Sequence, residues 1–196
     1  EAVTFNNFSL EDHWRQGDAR DAIARGGWTT VVLQQGPSAL AESLELLVEY
    51  TRRFDEQIRR VGATTALYMV WPARARRGDF PAVSASYAEA ARRVGGLLLP
   101  AGDAWRAAWR LDPTLPLYGP DGFHPSPLGS YLAALVIYAS LTGESPIGLP
   151  AAAIAGEPGE PATPLDAAVV DLIQRAASSV VTRGTATPLV FPLTVS

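Results

Sequence analysis

The 196 residues are 47% hydrophobic and 18% charged and contain no apolar run of bilayer-spanning length, so the chain reads as one soluble globular domain with a sizeable core. A formal charge of -4 and an isoelectric point near 5.2 give no broad positive field for nucleic acid or an anionic membrane. All 16 basic residues are arginine, cysteine is absent and His13 and His124 are the only histidines, which excludes Schiff-base lysines, a P-loop, thiol nucleophiles, disulfides, Cys-ligated metals and a zincin helix. Carboxylate, hydroxyl, imidazole and arginine chemistry remains. Absent cysteine fits the cytosol and many exported proteins alike, so the compartment is left open.

Apolar runs alternate with helical periodicity up to about residue 143, the pattern of a parallel α/β sheet. Strands are expected at residues 2–5, 29–33, 65–71 and 97–101, each short and β-branched or continuously apolar. Between the second and third, Leu40, Leu44, Leu47, Tyr50, Phe54, Ile58 and Val61 recur at helical spacing, with Gly62 as the stop. Ser84 is expected to cap a helix carrying Tyr87, Ala90, Ala91 and Val94, closed by Gly95 and Gly96. Ser126 and Pro127 open another that runs through Tyr131, Leu135 and Tyr138 to Gly143. The expected organisation is an α/β domain over residues 1–150, a Pro/Gly/Ala-rich linker over 151–164, and a C-terminal helix with an extended tail over 165–196 packing on the domain.

In open parallel sheets ligands bind beyond the carboxyl ends of the strands. The residues to weigh there are Asn6 to Trp14, Gln34 to Ser38, Trp71 and Pro72, and the loop that ends in Asp121-Gly122-Phe123-His124-Pro125. Aspartate three residues before histidine lets the carboxylate fix one imidazole nitrogen while the other faces a nucleophile. The same spacing also arises when a histidine only packs at a helix start and the aspartate makes an ordinary turn, and spacing alone does not separate the two. Gln34 and Gln35 offer amide donors for an oxyanion, or a polar loop with Gly36 for the turn. Asn6 and Asn7 offer the same choice. His13 reads as a satisfied or surface histidine near a helix start, Trp71 as a pocket wall, and Arg74, Arg76 and Arg77 as a solvated loop.

The combination of Asn7-Phe8-Ser9-Leu10, Trp28-Thr29-Thr30-Val31-Val32-Leu33-Gln34-Gln35 and Leu117 to Ser126, followed by Gly129-Ser130-Tyr131-Leu132-Ala133-Ala134, resembles the SGNH/GDSL-type serine hydrolases, in particular a bacterial branch with a WD-x-VVLQ pattern. The resemblance covers roughly residues 1–150. It implies a flavodoxin-like three-layer α/β/α domain and hydrolysis of O-acyl esters, acetyl esters of carbohydrate among them. Asp121 to Ser126 match the block that carries the catalytic aspartate and histidine, so His124 would be the base and Asp121 its partner, with Gln34 or Gln35 and Asn7 at the oxyanion. The implied partner is a small-molecule or carbohydrate ester, without metal or organic cofactor and with the oligomeric state open.

The departures shape a further expectation. No Gly-Asp-Ser or Gly-Asn-Ser nucleophile motif occurs; Asn6 or Asn7 stands where the family has a glycine, Gln34-Gln35-Gly36-Pro37 where it has Gly-x-Asn-Asp, and Thr29 where the branch has aspartate. Ser9 falls in a block that supplies a donor and not an attacking group. Glu1 is therefore expected to begin in the second strand of the family fold, with the first strand and its serine upstream and this chain inactive by itself. Residues 2–5 should then stand apart from residues 29–33 or pair with a substitute such as residues 189–193. A non-catalytic glycan- or ester-binding module of the same fold is the competing expectation.

Overall fold

Three short runs of Thr, Val, Leu, Ala and Tyr, without an internal glycine or proline, become strands: β1 (Thr30–Leu33), β2 (Thr64–Tyr68) and β3 (Leu97–Leu99). In the computed structural model, which describes residues 1–151, 153–154 and 163–181, they form a parallel sheet of order β1-β2-β3. Thr30 is in register with Thr64 and Ala66 with Leu97. The chain divides into two compact units, Glu1–Asp103 and Ala104–Ser196.

The first unit holds the sheet and the helices α1 (Leu10–Gln16), α2 (Asp18–Ala24), α3 (Ala41–Arg60) and α4 (Phe80–Val94). The expected periodicity of α3 is real: Leu47, Phe54 and Ile58 are essentially inaccessible, and the helix packs on α1, α2, α4 and β2. Burying each such side chain contributes about 1.5–3 kcal/mol. Gly62, at φ 77°, turns the chain out of α3 into β2.

One polar group is drawn into this core. Asp55, nearly buried, accepts from Arg59 Nε at 2.6 Å and from the Thr65 hydroxyl at 2.7 Å, tying α3 to β2. Asp55→Ala leaves the inaccessible Thr65 hydroxyl without its acceptor, so urea unfolding should show a loss of about 1–3 kcal/mol; an unchanged midpoint would refute the tie.

Several expectations are corrected. The third strand ends at Tyr68, with Met69 N still donating to Leu99 O at 3.0 Å, and the fourth ends at Leu99, where Pro100 has no N–H to continue a ladder. Residues 102–111, which fall in the expected loop after the fourth strand, and Ala101, expected to end that strand, form α5 (Ala101–Leu111). Gly102 permits its start: a methyl there would lie 2.8 Å from both Met69 Cε and Val70 O. Ser84 is not a cap, since α4 opens four residues earlier with proline in its first turn, and the Ser84 hydroxyl instead donates to Asp103 at 2.6 Å. Residues 2–5 form no strand: among the described residues they pair with neither β1 nor any other strand, and backbone without a ladder partner is not held as a strand.

In the second unit α6 (Pro127–Thr142) has the expected boundaries, capped by Ser126, whose hydroxyl accepts from Gly129 N at 3.1 Å, and closed by Gly143 at φ 74°. Helix α7 (Ala167–Val180) is capped by Asp166 and packs on α6. Its buried Gln174 accepts from Gly148 N at 2.8 Å and donates to Leu149 O at 2.7 Å, pinning the chain that leaves α6. Within the expected linker, β4 (Ala153–Ile154) pairs antiparallel with β5 (Thr163–Pro164). The expected tail lies outside the described residues. Among those described, no helix is long and apolar enough to cross a membrane.

Candidate functional site

The loop from Leu117 to Ser126 is closed by its own backbone. Gly119 N donates to His124 O at 2.8 Å, Ser126 N donates to Leu117 O at 2.8 Å, and Tyr118 bridges Pro125 in antiparallel fashion. At its tip Asp121 Oδ1 accepts from the backbone N–H of Phe123 at 2.9 Å and of His124 at 3.0 Å, an Asx turn that Gly122 completes at φ 69°. That turn folds the His124 ring back onto the other carboxylate oxygen. His124 Nδ1 lies 2.6 Å from Asp121 Oδ2, leaving Nε2 as the outward nitrogen.

The three hydrogen bonds, from Phe123 N–H first and then from the imidazole and the His124 N–H, hold the Asp121 carboxyl down at about 2 against an ordinary 3.8. The carboxylate is thus an acceptor throughout the neutral range and fixes the proton of a neutral His124 on Nδ1. Its contribution to loop order is present above the ordinary carboxylate range and lost only as pH falls through about 2. The imidazole side chain is 74% exposed and its carboxylate partner 49%, so the pair is open to an incoming group. Phe123, half-exposed, sets its ring edge-on to the imidazole at 5.1 Å between centroids.

The loop is fastened from beneath. A methyl group on Gly129 would lie 2.2 Å from Leu117 O and 2.7 Å from Trp105 Cζ2, so only glycine lets the first turn of α6 sit this close. Trp105, fully buried, donates Nε1 to Gly129 O at 3.3 Å and meets the Tyr118 ring edge-on at 4.9 Å. The sequence reading missed this fastening; a glycine three residues after a Ser-Pro helix start was the available signal.

The remaining expected residues belong to the first unit. Gln35 is buried just past β1: its Oε1 accepts from Leu10 N at 3.2 Å, capping α1, and its backbone is clasped by Tyr87, whose hydroxyl donates to Gln35 O at 2.6 Å and accepts from Gln35 N at 3.2 Å. Burial pushes the Tyr87 hydroxyl up, so it stays a neutral donor and acceptor. Gln34 is exposed and donates Nε2 to Gln35 O at 2.9 Å. Asn7 is exposed in a left-handed turn at φ 63°. Trp71 is buried after β2. Ser9 is the N-cap of α1 in a capping box with Asp12, its hydroxyl donating to Asp12 Oδ2 at 2.6 Å.

His13, expected to be either satisfied or on the surface, is partly buried with one ring nitrogen unsatisfied. It clusters with Phe8 and Phe5, at 5.2 and 5.9 Å between centroids, while those two rings lie 4.9 Å apart; burial pushes it below its ordinary value, and its Nδ1 is buried without a hydrogen-bond partner. With residues 1–5, Leu10, Ile23, Trp28, Phe54 and residues 30–34 it lines a cavity of about 380 Å³. No group of three or more His, Asp or Glu that could hold a metal occurs among the described residues.

No protein-family model and no curated protein matches the sequence. Two solved structures resemble it. One, from Slackia heliotrinireducens and provisionally described as an SGNH hydrolase, is 29% identical, with 68% of this chain and 79% of that one covered at a TM-score of 0.58. The other, a DUF4886 family protein from Bacteroides uniformis, is 21% identical over 82% of this chain and 65% of its own, at a TM-score of 0.65. Together with the parallel sheet and its flanking helices, these likenesses make the chain an α/β protein of the SGNH-type, flavodoxin-like fold.

Proposed function

We propose that the chain is the base-bearing part of an SGNH-type hydrolase that cleaves O-acyl esters, acetyl esters of carbohydrate among them. The 2.6 Å contact between His124 Nδ1 and an ionised Asp121 carries this reading, since it turns Nε2 outward as a proton acceptor. A serine hydroxyl supplied by sequence ahead of Glu1 would give its proton to Nε2 as its oxygen attacks the acyl carbon. The tetrahedral intermediate collapses with loss of the alcohol, which takes that proton. Water, deprotonated by the same nitrogen, then releases the acid from the acyl-serine. Asn7 and Gln34 or Gln35, with backbone N–H groups, are the donors proposed for the oxyanion. With Gln35 Oε1 bound to Leu10 N and Gln34 Nε2 bound to Gln35 O, the Gln35 Nε2 donors are the better candidates.

The dyad itself is testable in this chain. In neutral His124, ¹⁵N NMR should find the proton on Nδ1, whereas Asp121→Asn, which can donate as well as accept, should move the population toward the Nε2–H tautomer, useless as a base. An unchanged tautomer would remove Asp121 from its role. With p-nitrophenyl acetate the 196-residue chain should show no turnover above its His124→Ala variant, and joining the serine-bearing segment should open a difference between the two. No difference there would leave the non-catalytic binding module as the reading.

A further inference from the structure

The Asx turn of the dyad loop calls on residue 123 only for a backbone N–H, which goes to Asp121 Oδ1 at 2.9 Å, so any residue but proline serves the turn. Leu117 and Tyr118, the other large apolar side chains of the loop, are buried, whereas Phe123 is 49% exposed. A single exposed aromatic is ordinary on a protein surface, and what sets this one apart is its neighbour. Its ring lies 5.1 Å from the His124 imidazole between centroids, at 76° between the planes, and Nε2 of that imidazole faces outward. The N–H groups of both residues are held by one carboxylate oxygen, so the turn presents ring and base together.

An alcohol oxygen that takes a proton from Nε2 comes within about 2.6–3.2 Å of it. The carbons on that oxygen then fall in the shell around the imidazole that the Phe123 ring also occupies. Those carbons belong to the leaving alcohol, since the acyl group is joined to the oxygen only through the carbon under attack. A saturated ring such as a pyranose offers a rigid face of C–H groups to an aromatic surface, and it loses less freedom on contact than a flexible alkyl chain does. We infer that Phe123 selects the leaving alcohol, its ring being the surface on which a pyranose or another saturated ring alcohol lays its C–H face. The reaction that follows rests on the proposed function; the contact itself does not.

The test titrates the 196-residue chain with three acetates, of methyl glucoside, of cyclohexanol and of ethanol, and follows the amide and side-chain signals of Phe123 and His124 by NMR. Both ring acetates should give saturable shifts with half-saturation about threefold or more below that of ethyl acetate. Phe123→Ala should remove the preference and Phe123→Tyr should keep it, with the Nδ1–H tautomer of neutral His124 retained in both. Equal binding of all three acetates, binding of the glucoside acetate without the cyclohexyl one, or a preference that survives Phe123→Ala would overturn the inference. A change of tautomer in Phe123→Ala would do so as well, by making the ring a support for the imidazole. Turnover is read separately in the polypeptide joined to its serine-bearing segment. A ring preference there without turnover upholds the contact and defeats the hydrolase reading, and turnover without a ring preference does the reverse.

Discussion

In the serine-bearing polypeptide proposed above, His124→Ala should lower kcat/KM for an acetyl ester by about 10⁴-fold or more, and Asp121→Asn by about 10⁴-fold. The two losses have different origins. Removing the imidazole leaves the hydroxyl at its ordinary, feebly nucleophilic state, and only binding and oxyanion donors still act. Removing the carboxylate charge leaves the ring in place with its proton on the wrong nitrogen. Because Asp121 is held at about 2, it is ionised at every pH at which activity is measured, so its own titration should leave no acid limb in the rate profile. The double variant should be scarcely worse than His124→Ala alone, since the carboxylate acts only through the ring. Multiplying losses in the double variant would mean that Asp121 has a second role.

Trp105→Ala should cost about 3–5 kcal/mol, a large share of the roughly 5–15 kcal/mol that holds a domain together. The ring is fully buried, touches Tyr118 and Trp109, and its Nε1 is bound to Gly129 O, so truncation empties a large volume and strips a backbone acceptor of its donor. Gly129→Val acts on the same spot from the other side, because its first added carbon already falls 2.2 Å from Leu117 O. Circular dichroism during urea unfolding reads both. A loss under about 1 kcal/mol for Trp105→Ala would mean that the packing beneath the dyad loop collapses without penalty.

What the sequence made legible was local. α3 and α6 announce themselves through spacing and caps, and the dyad through a motif that one loop contains whole. What it hid depends on distant partners. Gln35 is clasped by Tyr87, 52 residues away, and nothing near either residue signals it. Residues 2–5 have the composition of a strand, but strand formation needs a neighbour, which composition cannot report. α5 was missed because a proline and a glycine flank its first residue, and both sit at its start where they do no harm. His13 was misjudged because the two phenylalanines that cluster with it sit five and eight positions before it, off any helical repeat.

The dyad loop carries its own geometry. Asp121 and His124 are three positions apart in one backbone-closed turn, so bringing them together costs little loop-closure entropy and needs no long-range contact. Contacts of such short sequence separation carry little of the loop-closure cost that slows folding. The facing of carboxylate and ring is therefore set inside the turn, by Asp121 Oδ1 on the Phe123 and His124 N–H groups and by Oδ2 on the imidazole. Substitutions outside the loop should accordingly leave the tautomer of neutral His124 untouched, as ¹⁵N NMR would read.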